Sequence, residues 1–327
     1  MKLIQWTIFL MCLTCQVGIC QIRPTGVRDS SFSVQSAYAQ DKKNFPELSL
    51  ADSAMPQDLQ VFKNLNYTKT SAENLALDIF APKTSLKKLA PAVLMVHGGG
   101  WRSGDRSHNY TLAKQLAARG FVTVSASYSL STHALYPQAV YDLKNAVRWM
   151  RANAGKFGID TARIAILGFS AGGQLAALVG TTDDAMIFGS NNAFPGISAH
   201  VQAIVDIDGT LAFIHPESGE GNDSKSISAA TYWFGYPKTE KPELWQQAAP
   251  LNHVSKNTPP ILFINSSVAR MHAGRDDMIA KLNGFGVYSE VRTFPDAPHC
   301  FMFYNPWFAP TLDTVNAFLN RVFYPKH

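Results

Sequence analysis

Five near-continuous apolar runs constrain the fold of this 327-residue chain more than any other feature of its sequence. Apolar residues in unbroken succession, rather than in alternation with polar ones, are typical of strands buried on both faces of a sheet. Such a sheet needs helices on both sides, so the runs predict an α/β fold with a mostly parallel sheet. The runs span residues 92–98, 121–127, 163–169, 201–209 and 260–267.

Helical periodicity lies between these runs. In residues 137–152, Val140, Leu143, Val147 and Met150 recur at steps of three or four, which places them on one face of a helix. Strands therefore alternate with helices along the chain, as an α/β fold requires. Further helices are predicted over 171–180, 275–284 and 311–323, an edge hairpin over 61–67 and 75–82, and a last strand over 288–294.

The first twenty residues have the pattern of a secretory signal peptide. Lys2 supplies a positive start, and the apolar run at 3–13 is too short to span a bilayer. We expect cleavage after Cys20, no membrane segment in the mature chain, and a secreted or periplasmic protein. A lipid anchor on Cys15 or Cys20 is the less favoured alternative.

The remainder divides into two unequal parts. Residues 21–58 lack periodicity and are predicted to form an N-terminal arm or linker, whereas residues 59–327 are predicted to form one catalytic domain. Within that domain, residues 210–258 are too long for a simple crossover and are expected to form a small cap or lid over the carboxyl edge of the sheet.

Composition excludes several functions. With 46% hydrophobic residues the chain has ample material for a core, and its net charge of +5 contains no dense run of Lys or Arg. Nucleic acid is therefore not expected as a partner, although an acidic substrate is mildly favoured. After signal removal Cys300 stands alone, which rules out an internal disulfide and a cysteine-based zinc site. We expect neither a metal nor a cofactor.

The segment GFSAG at residues 168–172 has the pattern G-x-S-x-G, between a predicted strand and a predicted helix. That context suits a sharp turn that raises Ser170 above the sheet edge as a nucleophile. The amino end of the following helix, beginning at Ala171, points backbone N–H groups at any negative charge that develops there.

A second glycine-rich turn, HGGGW at residues 97–101, follows another apolar run. The oxyanion formed during acyl transfer needs donors on a closely approaching backbone, and the N–H groups of Gly99, Gly100 and Ala171 are the predicted set. His97 is interpreted as structural, holding this loop in shape.

With these motifs the sequence resembles the α/β-hydrolase superfamily, and within it the HGGG-type serine esterases. The resemblance covers about residues 60–325 and implies the α/β-hydrolase fold. The chain looks most similar to secreted carbohydrate esterases of plant-polysaccharide-degrading bacteria, including pectin esterases. This narrower likeness rests on residues 206–218, 264–278 and 295–308.

The resemblance places the catalytic base after the last strand, where His299 stands. A serine hydroxyl is a poor nucleophile at neutral pH until a base removes its proton, and the ordinary pKa of histidine suits both removal and return of that proton. No other histidine combines this chain order with this loop position.

The acid of the triad has two candidates. Relatives usually carry it soon after the strand at 260–267, but Val268 and Ala269 stand where the aspartate is expected. Asp208, at the end of the preceding strand run, is favoured narrowly. The alternative is Asp276, in the sequence GRDDM, which could reach the imidazole if the preceding loop is long.

The substrate is predicted from charged and aromatic residues near these motifs. Arg270 and Arg275 could bind the carboxylates of a uronic acid chain, and Trp101 could stack on a sugar ring. We therefore expect esters on pectin-type plant cell-wall polysaccharide as substrate, with methyl esters of galacturonate slightly preferred. An acetylesterase on pectin or xylan is the alternative; an amidase, a peptidase or a non-catalytic binding relative are the alternatives of other classes.

Overall fold

A central eight-stranded sheet organises the computed structural model of the chain, which describes residues 21–70, 73–183, 185–189 and 192–325. The segment predicted to be a signal peptide, residues 1–20, lies outside the described residues. Strands occur at β1 (Ser49–Leu50), β2 (Leu59–Lys69), β3 (Asn74–Pro82), β4 (Ala90–Val96), β5 (Val122–Ala126), β6 (Ile159–Phe169), β7 (Ala203–Ile207), β8 (Ile261–Asn265), β9 (Ser289–Thr293) and β10 (Tyr304–Asn305).

The strand order in this sheet is β2-β3-β5-β4-β6-β7-β8-β9. Strand β3 pairs antiparallel with β2 and β5, and all pairs from β5 to β9 are parallel. Strand β4 lies between β5 and β6, so the chain leaves β4 toward one edge of the sheet and returns on its other side toward the opposite edge. In open α/β sheets such a switch point, at the carboxyl ends of the strands, is where ligands bind.

The α-helices of the described residues cover both faces of the sheet, so the prediction of an α/β fold with a mostly parallel sheet is confirmed. Their bounds are α1 (Val34–Asp41), α2 (Tyr110–Ala118), α3 (Gln138–Ala152), α4 (Ala154–Phe157), α5 (Ala171–Thr182), α6 (Ala229–Phe234), α7 (Pro242–Gln247), α8 (Arg275–Gly284) and α9 (Phe308–Phe323). The sequence pattern missed α2, although its buried Leu112 and Leu116 have helical spacing.

Two apolar clusters, one on each face of the sheet, explain the unbroken apolar runs. In β4, Leu94 and Val96 belong to the cluster that includes α3 and α5 residues, whereas Val93 and Met95 belong to the cluster that includes α2 and α9 residues. Successive side chains of a strand point to opposite faces, so a strand covered on both sides needs apolar residues at every position.

Residues 21–58, predicted as an arm or linker, contain α1 and β1 and lie against the domain. Strand β1 pairs antiparallel with β10, and Leu48 is buried beside it. Phe45 packs edge-on against Trp307, with ring centroids 6.1 Å apart. Helix α1 contains no buried residue, which is why its sequence shows no apolar periodicity.

Residues 210–258, predicted as a cap, contain α6 and α7 and pack against the loop that follows β4. The rings of Trp233 and Trp101 stack 5.0 Å apart, and the side-chain amide of Gln174 in α5 donates to the backbone oxygen of Ala248. Trp233 and Trp245 are fully buried in the same cluster as α5. This segment is thus held at the carboxyl ends of the central strands.

Among the helices of the described residues, none combines the length and apolar character needed to cross a bilayer.

Candidate active site

Ser170 occupies a sharp turn between β6 and α5. Its backbone is left-handed, with φ 56° and ψ −124°, a conformation that costs free energy for a residue other than glycine. The flanking glycines are sterically required: a Cβ atom on Gly168 would lie 1.9 Å from the carbonyl oxygen of Gly172, and one on Gly172 would lie 2.3 Å from that of Val96. The G-x-S-x-G spacing therefore follows from backbone contact at the turn.

The imidazole of His299 contacts this serine. Its Nε2 lies 2.9 Å from Ser170 Oγ, and its ring packs against Phe169 with centroids 4.8 Å apart. His299 follows β9, so residues 129 positions apart in sequence meet at the carboxyl edge of the sheet. The structure thus brings together the two residues that the sequence predicted as nucleophile and base.

Asp208 completes the chain of contacts. Its Oδ2 lies 2.9 Å from His299 Nδ1, and its Oδ1 accepts a hydrogen bond of 2.8 Å from the backbone N–H of Ser266. Because a carboxylate only accepts hydrogen bonds, Nδ1 carries the proton and Nε2 is left to accept from Ser170. The aspartate side chain is fully buried, which removes water as a competing partner.

The alternative acid, Asp276, does not reach the imidazole. It lies in the first turn of α8 with a side chain that is 75% exposed, and it accepts a 2.8 Å hydrogen bond from Arg275 Nε. This ion pair lowers the pKa of the Asp276 carboxyl, opposed by partial burial. Of the two candidates, the structure places only Asp208 against His299.

The glycine loop lies beside Ser170 in a left-handed conformation, with φ 122° at Gly99 and 60° at Gly100. Ser103 stabilises the loop because both its N–H and its hydroxyl donate to the Gly99 carbonyl oxygen, at 2.9 and 3.0 Å. Within the described part of the chain, the backbone N–H groups of Gly99, Gly100 and Ala171 have no acceptor. These three donors are therefore free to bind a negatively charged oxygen.

His97 supports this loop from the interior. Its Nδ1–H donates to the Gly98 carbonyl oxygen at 2.9 Å, and its ring stacks on Tyr128 with centroids 4.4 Å apart. Burial lowers the pKa of His97 to about 4, so the ring is neutral at neutral pH. Within the described residues no hydrogen bond or ring contact joins His97 to Ser170, which is consistent with a structural role for this side chain.

A small cavity of about 40 Å³ opens beside Ser170. A water molecule needs about 10–15 Å³ of such volume, so the cavity has room for a group of about three heavy atoms. It is lined by Gly100, Trp101, Ser170, Ala171, Thr210, Glu220, Ala229 and Met271.

Trp101 borders this cavity but cannot stack on a sugar as the sequence suggested. Its side chain is 3% exposed, one face covers Trp233, and Phe213 packs against it at 5.6 Å. Its indole N–H donates to Gln174 Oε1 at 2.8 Å. The ring is part of the apolar core beneath the site.

The two arginines predicted to bind substrate are both paired with carboxylates. Arg275 donates to Asn265 and Asp276, each at 2.8 Å, and its side chain is 17% exposed. Arg270 is more open, at 55%, and its guanidinium lies 3.9 Å from the carboxylate of Glu220. The positive charge expected from the sequence is thus largely compensated.

Glu220 lies near the site but was not predicted as a site residue from the sequence. Its carboxyl group lines the cavity with Ser170 and is 16% exposed. Burial raises the pKa of Glu220, opposed by the charge of Arg270. The surrounding stretch, SGEGNDSKS, has only the composition of a polar loop, and no local signal distinguishes this glutamate.

The chain matches one known protein family. The sequence profile of the BD-FAE family matches residues 77–271, a range that includes the glycine loop, Ser170 and Asp208.

Individual relatives agree with this match. Esterase LipC of Mycobacterium tuberculosis is 30% identical to this chain, over 70% of this chain and 61% of its own length. An ethyl acetate hydrolase of Pseudomonas putida is 24% identical, over 80% of this chain and 82% of its own length. The chain spans between 49% and 61% of the length of the first three curated relatives that it matches.

Solved structures share the fold. A truncated carbohydrate esterase from gut microbiota has a TM-score of 0.67 at 24% identity, covering 81% of this chain and 99% of its own. Butyrate-bound esterase 2 of Thermogutta terrifontis has a TM-score of 0.65 at 22% identity, and the match covers 83% of this chain and 97% of that structure's chain.

Proposed function

This chain belongs to the BD-FAE family and has the α/β-hydrolase fold, and from that premise we propose that it is a serine carboxylic ester hydrolase. The observation that carries the proposal is the continuous hydrogen-bonded row from Asp208 through His299 to Ser170, with both distances 2.9 Å. Gly100 of the glycine loop lines the same cavity as Ser170.

In the first half-reaction Ser170 Oγ attacks the ester carbonyl carbon while its proton passes to His299 Nε2. The carbonyl oxygen becomes an oxyanion and accepts hydrogen bonds from Gly99, Gly100 and Ala171 N–H. Asp208 stabilises the imidazolium that forms. The tetrahedral intermediate then collapses, and the departing alcohol takes the proton from His299.

In the second half-reaction water attacks the acyl-enzyme and gives its proton to His299. Collapse of the second tetrahedral intermediate releases the carboxylic acid and returns the proton to Ser170 Oγ. The buried, neutral His97 takes no part in proton transfer.

The cavity favours a small acyl group. A methyl ester of galacturonate would place the sugar ring on the acyl side of the scissile bond, whereas an acetyl ester places only a methyl group there. A volume of about 40 Å³ matches an acetyl group better than a hexuronic ring. We therefore propose removal of acetyl-sized groups from carbohydrate hydroxyls, the alternative that the sequence had ranked below methyl ester hydrolysis.

Carbohydrate as the alcohol part rests on the sequence resemblance and on one structural neighbour described as a carbohydrate esterase. Pectin as the polymer, plant cell-wall material as the partner, and secretion or periplasmic location remain predictions from the sequence. The paired arginines weaken the specific argument for uronic acids.

The test compares acetate and methanol released from acetylated xylan, acetylated pectin and methyl-esterified pectin, with p-nitrophenyl acetate as a simple ester. Wild-type enzyme should release acetate, and Ser170→Ala should lose at least about 10³-fold in kcat. Methanol in excess of acetate would reverse the proposed ester type. No product from any polysaccharide would overturn the carbohydrate assignment, and no hydrolysis of p-nitrophenyl acetate would overturn the esterase itself.

A further inference from the structure

The lining of the cavity beside Ser170 includes polar side chains. Glu220 and Thr210 line it together with the apolar side chain of Met271. A site made only for an alkyl group would gain from an apolar lining, because an unpaired carboxylate next to a hydrocarbon loses its hydration without compensation. The presence of the Glu220 carboxyl group in this lining therefore needs a physical explanation.

Protein contacts leave much of the hydrogen-bonding capacity of Glu220 unused. Its Oε2 accepts from the backbone N–H of Ala230 at 3.4 Å, and its Oε1 lies 3.9 Å from Arg270, a separation beyond a direct hydrogen bond. Asp223 and Lys238 are the other charged groups that act on it. An ionised carboxylate can accept about four hydrogen bonds, so capacity remains for a ligand.

We propose that Glu220 is a specificity-determining residue that accepts a hydrogen bond from a sugar hydroxyl and repels a substrate carboxylate near the scissile ester. The chain would thereby select esters of neutral, hydroxyl-rich carbohydrate over esters carried on uronic acid units. This inference rests on the proposed function, because it concerns the substrate of the same serine.

The charges around the cavity agree with this selection. Arg270 pairs with Glu220 but does not line the cavity, and Arg275 is held by Asp276 and Asn265. Glu220 lines the cavity of Ser170, whereas neither arginine does. An anionic group that enters this cavity therefore lies beside the Glu220 carboxylate.

The experiment measures kcat/KM at pH 8 for two acetylated oligosaccharides, one of xylose and one of galacturonic acid, with wild-type enzyme and Glu220→Gln. The neutral-to-anionic ratio is independent of the amount of active enzyme. Wild-type enzyme should prefer the neutral substrate, and Glu220→Gln should lower the ratio about tenfold, as expected for loss of one like charge about 12 Å away at an effective dielectric constant of about 20. The change should shrink at about 1 M salt.

Glu243→Gln is the matched control. Glu243 lies in α7 with a 64% exposed side chain paired with Lys241, and it does not line the cavity. Its substitution removes the same charge and should leave the ratio within twofold of wild type. An equal shift in both variants would overturn the proposal, because the effect would then reflect net charge alone.

Arg270→Gln provides a second line of evidence if Glu220→Gln does not fold. Loss of the guanidinium leaves Glu220 uncompensated, so the neutral-to-anionic ratio should rise about threefold or more. An unchanged ratio in the folded variant would overturn the proposal. Failure of the proposed function gives a different result: wild-type enzyme would release acetate from neither oligosaccharide. That result would overturn the proposed function and, with it, the role of Glu220.

Discussion

Asp208 sits at the end of β7 in a left-handed conformation (φ 51°) that directs its carboxylate along the sheet edge toward His299. The backbone N–H of Asp208 donates to the Ile264 carbonyl oxygen of the neighbouring strand at 2.9 Å, which helps to hold this conformation. A buried carboxylate that accepts hydrogen bonds from a backbone N–H and a histidine is fixed in direction. This is the property that an acid in this position needs.

At the residue scale, Asp208→Asn and Asp276→Asn should behave differently. Asparagine at 208 can donate to His299 Nδ1 and would favour the wrong imidazole tautomer, so we expect kcat to fall by about 10³–10⁴. Asparagine at the exposed position 276 should leave kcat within about twofold of wild type. Steady-state kinetics on p-nitrophenyl acetate measures both, and circular dichroism checks folding. The assignment of Asp208 fails if the two variants lose activity equally.

The glycine loop and the N-terminal segment form a coupled pair of elements. Asp29 forms a 3.0 Å ion pair with Arg102 and a backbone bridge with Ser103, the residue whose N–H and hydroxyl both donate to Gly99. Arg28 contacts Asp105 at 3.2 Å in the same segment. The segment that looked like a linker in the sequence therefore restrains the loop that carries the proposed oxyanion donors.

At the element scale, Asp29→Ala should lower kcat about three- to tenfold with little change in KM. The physical reason is that a looser glycine loop weakens hydrogen bonds that matter most in the transition state. Asp313→Ala is the control, because it breaks the ion pair between Asp313, which lies on α9 and is 67% exposed, and Arg119, which follows α2. Equal kcat values for the two variants would show that the N-terminal segment does not position the donors.

The whole molecule depends on burial on both faces of one sheet, and this burial includes a histidine. In the folded protein the pKa of His97 is lowered to about 4, whereas an unfolded chain titrates near the ordinary value of 6.5. Between these values the unfolded state binds more protons than the folded state. The stabilising contribution of neutral His97 is therefore complete above pH 6.5 and is lost as pH falls toward 4.

At the scale of the whole molecule, acid should destabilise wild type more than His97→Asn. Because one pKa unit corresponds to about 1.4 kcal/mol, protonation of His97 should reduce the free energy of unfolding by about 2–3 kcal/mol at pH 4.5 relative to pH 7. The variant retains an amide that can donate to Gly98 and lacks this titration. Urea unfolding at the two pH values gives the difference directly; an identical pH dependence in both proteins would contradict the assignment.

Much of the fold could be predicted from the sequence because its signals are local. Unbroken apolar runs located the parallel strands, and helical periodicity located α3, α5, α8 and α9 within about three residues of their observed bounds. Helix α2 was missed, since half of its buried positions are alanines that give a weak apolar pattern. The folded N-terminal segment was missed because α1 buries no residue.

Local sequence patterns are sufficient to predict the parallel sheet, the serine turn and the glycine loop, because each depends on side-chain size and polarity within a few consecutive residues. Three other facts became visible only in the folded chain: Asp208 contacts His299, Trp101 is covered, and Glu220 lines the cavity. Those facts depend on how closely segments far apart in the chain approach one another. Local pattern carries no measure of that separation, and packing against the folded sheet sets it.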